Sequence, residues 1–596
     1  MANLPDYVAM AKPNPLDNRF GWWKNIAPTY IGIMLWFVFW QDIPTAAVGG
    51  YAGGMFGCGL GLAILALAIA ALLCHFLFYL VPGKLGFQTG LPLYIVGTST
   101  YGVRGGFLMP GFLMGALQFG WLAVNAYFAG MLLGAAAGAA PNTPMHLTIS
   151  VIFAVVAAFI GLKGIKYVAG ISTYLPLIPI VILIILTCKT AGNVSKFDAK
   201  KLVETQLAPV AAPAEATPAT EAAPAAEATP ATEAAPATEA TPATEAAPAT
   251  EGTPATEETA PAEELPASET TADETAPATE AGSETAGVDE AAPVAETAPA
   301  EKAAPATEAA SETVVADGAA PATVPAPEAA PATEKAAAKA EMPKRHTPFT
   351  IFNFMAIYIF GFFATAGAAG CDMGTNSRSN SDVQLGGLFG VFGSTFIAGL
   401  LSLLIYAGAY GGGLIPYTEA VGQTPGLMGK IMGSEAVGKT MMTLLAIAAF
   451  PSACFATLIA ANSFKTTLPK VNPFITCGLG ALGAVLLILT TYAGQAGQVF
   501  SVIGASFGPV CGAMVADYLL SGGKWNGPRA GFNPAGWLSW VFGFAVGAFN
   551  FLPPACRGGF DMPCPPLLAF LVGFILYVLF AKMGLESQTL EYDEKA

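Results

Sequence analysis

Gln118, Trp121 and Asn125 fall three and four residues apart, so on a helix they share one face. An indole flanked by two amides can hold a flat heterocycle: the ring stacks while each amide, donor and acceptor at once, reads its edge. The same trio can instead bond between helices, and the residue types leave both uses open. A second constellation is Gln41, Asp42 and Pro44. Proline lacks an amide hydrogen and clashes with the carbonyl one turn back. Carbonyls from Phe37 through Trp40 to Gln41 are therefore freed, and freed carbonyls coordinate cations. Asp42 at the centre of a bilayer would cost about 2.5 to 3.5 kcal/mol, so it is expected to face a wet cavity or an interface. Ser452 and Thr457, in PSACFATLIAANS, can add hydroxyls to such an ion or bond back to carbonyls of their own helix.

A third stretch, Phe360 to Arg378 (FGFFATAGAAGCDMGTNSR), opens as an apolar helix and then runs into small residues, a carboxylate and turn formers. Gly361, Gly367 and Gly370 leave its backbone nearly bare, which predicts either a broken helix lining a cavity or a very close helix contact. Asp517 and Tyr518 stand where an apolar run ends and are expected to be boundary residues. Three scattered histidines and nine cysteines form no zinc or redox spacing. No phosphate loop and no nucleophile with its base can be found, so an enzyme is not expected and no cofactor beyond a coupling ion is implied. Cys556 and Cys564 flank a glycine-bearing turn and could close a disulfide if their geometry permits.

The elements that must position these residues are membrane helices. Apolar residues make up 54% of the chain and charged ones 11%. Apolar runs of about 20 residues give twelve spans, near 26–50, 54–82, 107–137, 144–163, 166–188, 349–371, 384–411, 440–463, 472–492, 496–520, 531–552 and 564–583. The net charge of -15 is local, because 28 of the 41 acidic residues and only 8 of the 26 basic ones lie in 192–346. That segment repeats Pro-Ala-Thr-Glu-Ala units and has no Phe, Tyr or Trp after Phe197. Such a composition cannot offset ordering entropy, so a disordered linker is expected. The lysines and arginines of the short connections fall mostly on one side. By the positive-inside rule that side is cytoplasmic and holds both termini, with 192–346 outside. Five spans before the linker and an opposite orientation after it suggest inverted repeats whose first helices are both broken, the place where many transporters bind substrate and ion.

The expected organisation is an amino-terminal segment (1–25), a first repeat (26–191), the linker (192–346), a second repeat (347–521), two further helices (522–584) and a tail (585–596). The pattern resembles the nucleobase:cation symporter-1 family, which includes cytosine permease and the hydantoin and allantoin permeases. The resemblance rests on TGLP and YGVRGG before span 3, QFGW within it, FFATAGAAGCD in span 6 and GPVCGAMVADYL in span 10. It implies an all-α polytopic membrane protein of the LeuT type: twelve transmembrane helices, a five-plus-five inverted repeat, and discontinuous helices 1 and 6.

It also implies that Trp121 stacks on the substrate ring, that Gln118 or Asn125 bonds its edge, that Phe363 adds an aromatic, and that Gln41 is a polar neighbour. Carbonyls near Phe37 and Trp40, with Ser452, would fall at a sodium site. Asp42 is a coupling candidate on its own chemistry. Span 8 departs from cytosine permease, with Ala453 and Ala456 where consecutive threonines stand. The function implied is symport of a nucleobase-like heterocycle with sodium or protons across a lipid bilayer, with no nucleic-acid partner. Two other readings remain: a symporter of the same fold for an amino acid or other organic solute, and a membrane anchor displaying the acidic tether.

Overall fold

The computed structural model describes residues 4–25, 33, 35–41, 51–164, 175, 177–208, 344–418, 426–468 and 470–592. Asp42, Pro44 and most of the acidic linker lie outside these residues. Long apolar sequence with no solvent to satisfy its amides has to bond to itself, and helices do so within one segment. The described residues form helices throughout, with isolated bridges as their only strand-like pairing. In chain order the main helices are α1 (Trp36–Gln41), α2 (Leu60–Thr89), α3 (Phe107–Ala136), α4 (Pro144–Lys163), α5 (Leu177–Lys196) and α6 (Pro348–Ala368). They continue with α7 (Asn380–Gly411), α8 (Glu435–Thr467), α9 (Pro473–Leu489), α10 (Ala496–Leu520), α11 (Pro534–Gly547) and α12 (Pro565–Lys582).

Among the described residues nine helices are long and apolar enough to cross a membrane, and α9 is a shorter apolar one. The chain is a multi-pass membrane protein. Its starts are written locally: α4, α6, α9, α11 and α12 each open on proline, whose missing N–H would be unsatisfied there anyway. Thr347 and Thr350 add a reciprocal capping box before α6. Pro110 sits in a widened turn, Phe107–Phe112, at the head of α3.

Helix α3 packs most extensively on α8 and also on α4 and α9, while α10 lies against α6, α11 and α12. The contact of α6 with α10 needs a glycine, since a Cβ on Gly361 would stand 2.5 Å from the Phe500 carbonyl oxygen. The interruption foreseen in span 6 is one residue long: α6 ends at Ala368, Ala369 is the joint, and a short helix runs Gly370–Gly374. Gly367 and Gly370 press on Phe78 and Tyr79 of α2, so the small residues of this stretch serve close packing.

Three expectations are corrected. Order extends past Gly192, because a helix spans Ala199–Leu207, buries Leu202 and Val203, and reaches Gly53 N–H through Gln206 Oε1 at 2.7 Å. Short apolar contacts suffice to fold that stretch onto the helices, whereas the repeats begin only beyond it. Cys556 and Cys564 are both free, the first exposed and the second buried at the head of α12, where its amide donates to Asn353 Oδ1. Asp517, in the last turn of α10, is more than a boundary residue, because it is buried. It accepts hydrogen bonds from Ser99 Oγ at 2.6 Å and Thr100 Oγ1 at 3.0 Å and pairs with Arg529 at 2.8 Å. Arg529 also pairs with Glu586 at 2.8 Å and donates to Tyr577. Burial opposes the Arg529 charge, but Asp517, Tyr577 and Glu586 outweigh it and hold the guanidinium above its usual pKa.

The amino-terminal segment lies across the same end of the helices. Phe20 exchanges backbone bonds with Asn376 and Arg378, Asn14 Nδ2 donates to Thr375 O, and Trp22 N–H donates to Asp382 Oδ1. Farther back, the Tyr7 hydroxyl donates to Val103 O.

Candidate ligand site

Helix α3 brings Gln118, Trp121 and Asn125 to one buried face, at 5%, 6% and 4% exposure. The three differ in what they are free to do. Asn125 is already occupied: its Nδ2 donates to Trp121 O at 2.9 Å and its Oδ1 accepts from Ser452 Oγ at 2.7 Å. It therefore acts as a bridge between α3 and α8. Gln118 meets only a weak acceptor among the described residues, the Met114 thioether at 3.7 Å from Nε2. An amide offers two donors and two acceptor lone pairs, so Gln118 is the group on this face best able to read a ligand edge.

Trp121 is held by three residues that the sequence pattern did not single out. Its Nε1–H donates to Thr365 Oγ1 at 3.1 Å. Phe362 meets it edge-on, with centroids 4.4 Å apart and planes at 86°, and Phe500 of α10 lies at 4.7 Å and 32°. Phe362 and Thr365 are three apart on α6 and so share a face. They lie within the stretch the sequence marked. Nothing in the sequence relates Phe500 to Trp121, because helix packing alone joins α10 to α3. The aromatic that α6 gives to Trp121 is thus Phe362. Phe363 is fully buried and packs against Phe362 at 4.9 Å.

The residues proposed for a cation fall into separate groups. The Trp40 carbonyl accepts from the Tyr406 hydroxyl at 2.7 Å, and the Trp40 ring lies 5.1 Å from Tyr406. Phe37 packs on Phe128 of α3 at 5.6 Å. Ser452 bonds Asn125 and the Ala449 carbonyl at 2.8 Å. No hydrogen bond among the described residues joins Ser452 to α1. The Gln41 backbone ends α1, and Asp42 lies outside the described residues. Thr457 is buried with no partner for its hydroxyl among the described residues. Among the described residues no cluster of His, Cys, Asp or Glu is arranged to hold a metal.

No protein-family profile matches the chain, and no curated protein does. Solved structures do. One is Mhp1, a nucleobase-cation-symport-1 family transporter, in a closed conformation with bromovinylhydantoin bound: TM-score 0.50 and 11% identity over 97% of this chain and 95% of that one. Another is the inward-facing conformation of Mhp1, with TM-score 0.50 and 12% identity over 98% and 94%. The all-α, polytopic, LeuT-type class expected from the sequence is the class of these neighbours. At this identity the likeness concerns the fold, and the chain has the fold of Mhp1, a nucleobase-cation-symport-1 family transporter.

Proposed function

We propose that the chain is a secondary active symporter that imports a nucleobase-like heterocycle, such as cytosine or a related purine, pyrimidine or hydantoin-type ring, together with sodium or protons. The observation that carries this reading is the α3 face, where a buried indole stands beside an amide that lacks a strong partner among the described residues. Stacking on Trp121 and edge bonds from Gln118 suit a flat ring with alternating donors and acceptors. The fold supports the reading by analogy, since one solved neighbour carries a hydantoin. Phe363 and Gln41 complete the proposed substrate neighbourhood, with Asn125 setting its register. Sodium would take the Phe37 and Trp40 carbonyls with Ser452, which requires Tyr406 and Asn125 to release them. Asp42 is the proposed proton-coupling group. Both termini are proposed to be cytoplasmic and the acidic linker extracytoplasmic, in the plasma or inner membrane.

Uptake into proteoliposomes of labelled cytosine, uracil, adenine and allantoin, with and without a sodium or proton gradient, tests the reading. Gradient-driven accumulation of at least one ring is expected. Accumulation of none of them, with uptake of an amino acid instead, would overturn it. Replacing residues 212–340 by a short Gly/Ser linker should leave uptake intact, whereas an anchor for the acidic tether would lose its function with that segment.

A further inference from the structure

We propose that Thr365 is the positioning residue of the ring site: its hydroxyl fixes the orientation of the Trp121 indole and thereby which rings the site accepts. The role deepens the symporter reading and rests on it for its consequence in selectivity, while the positioning itself is a property of the ligand-free protein. Trp121 has one polar atom, Nε1–H, a donor with no acceptor capacity. That atom is directed at Thr365 Oγ1, and Thr365 is 1% exposed, so water does not compete for it.

The remaining contacts leave the hydroxyl a specific task. The Phe362 ring stands perpendicular to the indole and the Phe500 ring is tilted against it, and neither bonds the indole nitrogen. The second side-chain torsion of tryptophan has a broad minimum. Without a partner for Nε1 the indole can rock between these two rings, and a buried N–H would be left unsatisfied. Gly361, one turn before Thr365 on α6, keeps that helix tight against Phe500, so the acceptor and both rings are set by a single helix contact. The bond also ties α3, from the first half of the chain, to α6, from the second.

Thr365→Val keeps the shape and removes the acceptor, and Thr365→Ser keeps the acceptor. The first measurement is near-ultraviolet circular dichroism of ligand-free full-length protein in vesicles. Thr365→Val should change the tryptophan signal, Thr365→Ser should restore it, and in a Trp121→Phe background Thr365→Val should change nothing. The second is equilibrium binding of cytosine, uracil, adenine and allantoin. Thr365→Val should weaken the preferred ring about tenfold, as loss of one buried hydrogen bond implies, and narrow the gap to the next ring, with Thr365→Ser recovering most of both. Melting temperatures separate these effects from misfolding. An unchanged spectrum with unchanged affinities in Thr365→Val overturns the proposal, as does a loss that persists undiminished in the Trp121→Phe background. If the wild-type protein binds none of the four rings, the symporter reading and the selectivity role fall together, and the spectra still decide the positioning.

Discussion

At the scale of single residues, chemistry depends on which polar groups are already engaged. Among the described residues Gln118 keeps polar capacity, while the Trp121 N–H is engaged by Thr365 and Asn125 has exchanged its own groups for a bridge to Ser452. Trp121→Ala should weaken ring binding about tenfold or more, since stacking contributes about 1 to 3 kcal/mol in base recognition. A folded, inserted Trp121→Ala protein with wild-type affinity would remove the indole from the site. A titrating residue stands just before α6. His346 stacks on Tyr51 at 4.5 Å and 25° and meets Thr350 Oγ1 at 3.0 Å, and burial lowers its pKa from the ordinary 6.5 to about 4. Between those values the unfolded chain binds a proton that the folded one refuses. The contribution is therefore complete above pH 6.5 and lost as pH falls toward 4, by at most about 1.4 kcal/mol per unit. Melting curves across that window should fall less steeply for His346→Gln than for wild type. Parallel falls would assign the acid sensitivity to other groups.

At the scale of elements, the helices were legible because apolar runs between proline starts and glycine or polar ends define them without tertiary information. Helix α9 was as legible as α10, although it has only 17 residues. The site was half legible. Spacing alone put Gln118, Trp121 and Asn125 on one face, but spacing within α3 carries no information about Thr365, 244 positions away, or about Phe500 on α10. The small residues of α6 were ambiguous for the same reason, since a bare backbone reads alike whether it faces a cavity or another helix. The structure gives Gly361 a packing task, and that task can be measured. Gly361→Ala places a methyl 2.5 Å from the Phe500 carbonyl oxygen, a backbone atom that cannot swing aside. Helix α6 must then move off α10, at about 1 to 3 kcal/mol for an overpacked contact. A lower melting temperature and weaker ring binding are expected together, because the same shift disturbs Phe362 and Phe500 around Trp121. Unchanged melting would mean the two helices tolerate separation.

At the scale of the whole molecule, one end gathers parts of the chain that sequence order keeps apart. Arg529 lies in the connection between α10 and α11, Ser99 and Thr100 before α3, Tyr577 on α12 and Glu586 in the tail. Backbone bonds run alongside them: Val103 N–H to Arg529 O at 2.7 Å, Ala530 N–H to Gln588 O at 2.8 Å, and Leu590 N–H to Pro528 O at 2.7 Å. Gly102 permits this approach, with φ of +80° and a Cβ position only 2.3 Å from Gly531 O. The connection entering α3 is thus fixed by the same guanidinium that holds the tail. None of this was visible in the sequence, where Asp517 reads as the polar end of an apolar run and its partner Ser99 stands 418 residues earlier. Arg529→Met should cost about 3 to 5 kcal/mol, because it leaves the Asp517 carboxylate buried without its cation. Adding Asp517→Asn removes that uncompensated charge, so the double variant should melt above the single one. Thermal denaturation of the purified protein decides the matter: a single variant as stable as wild type, or a double variant that melts lower still, would show that the cluster gains its stability from hydrogen bonds rather than from the paired charges.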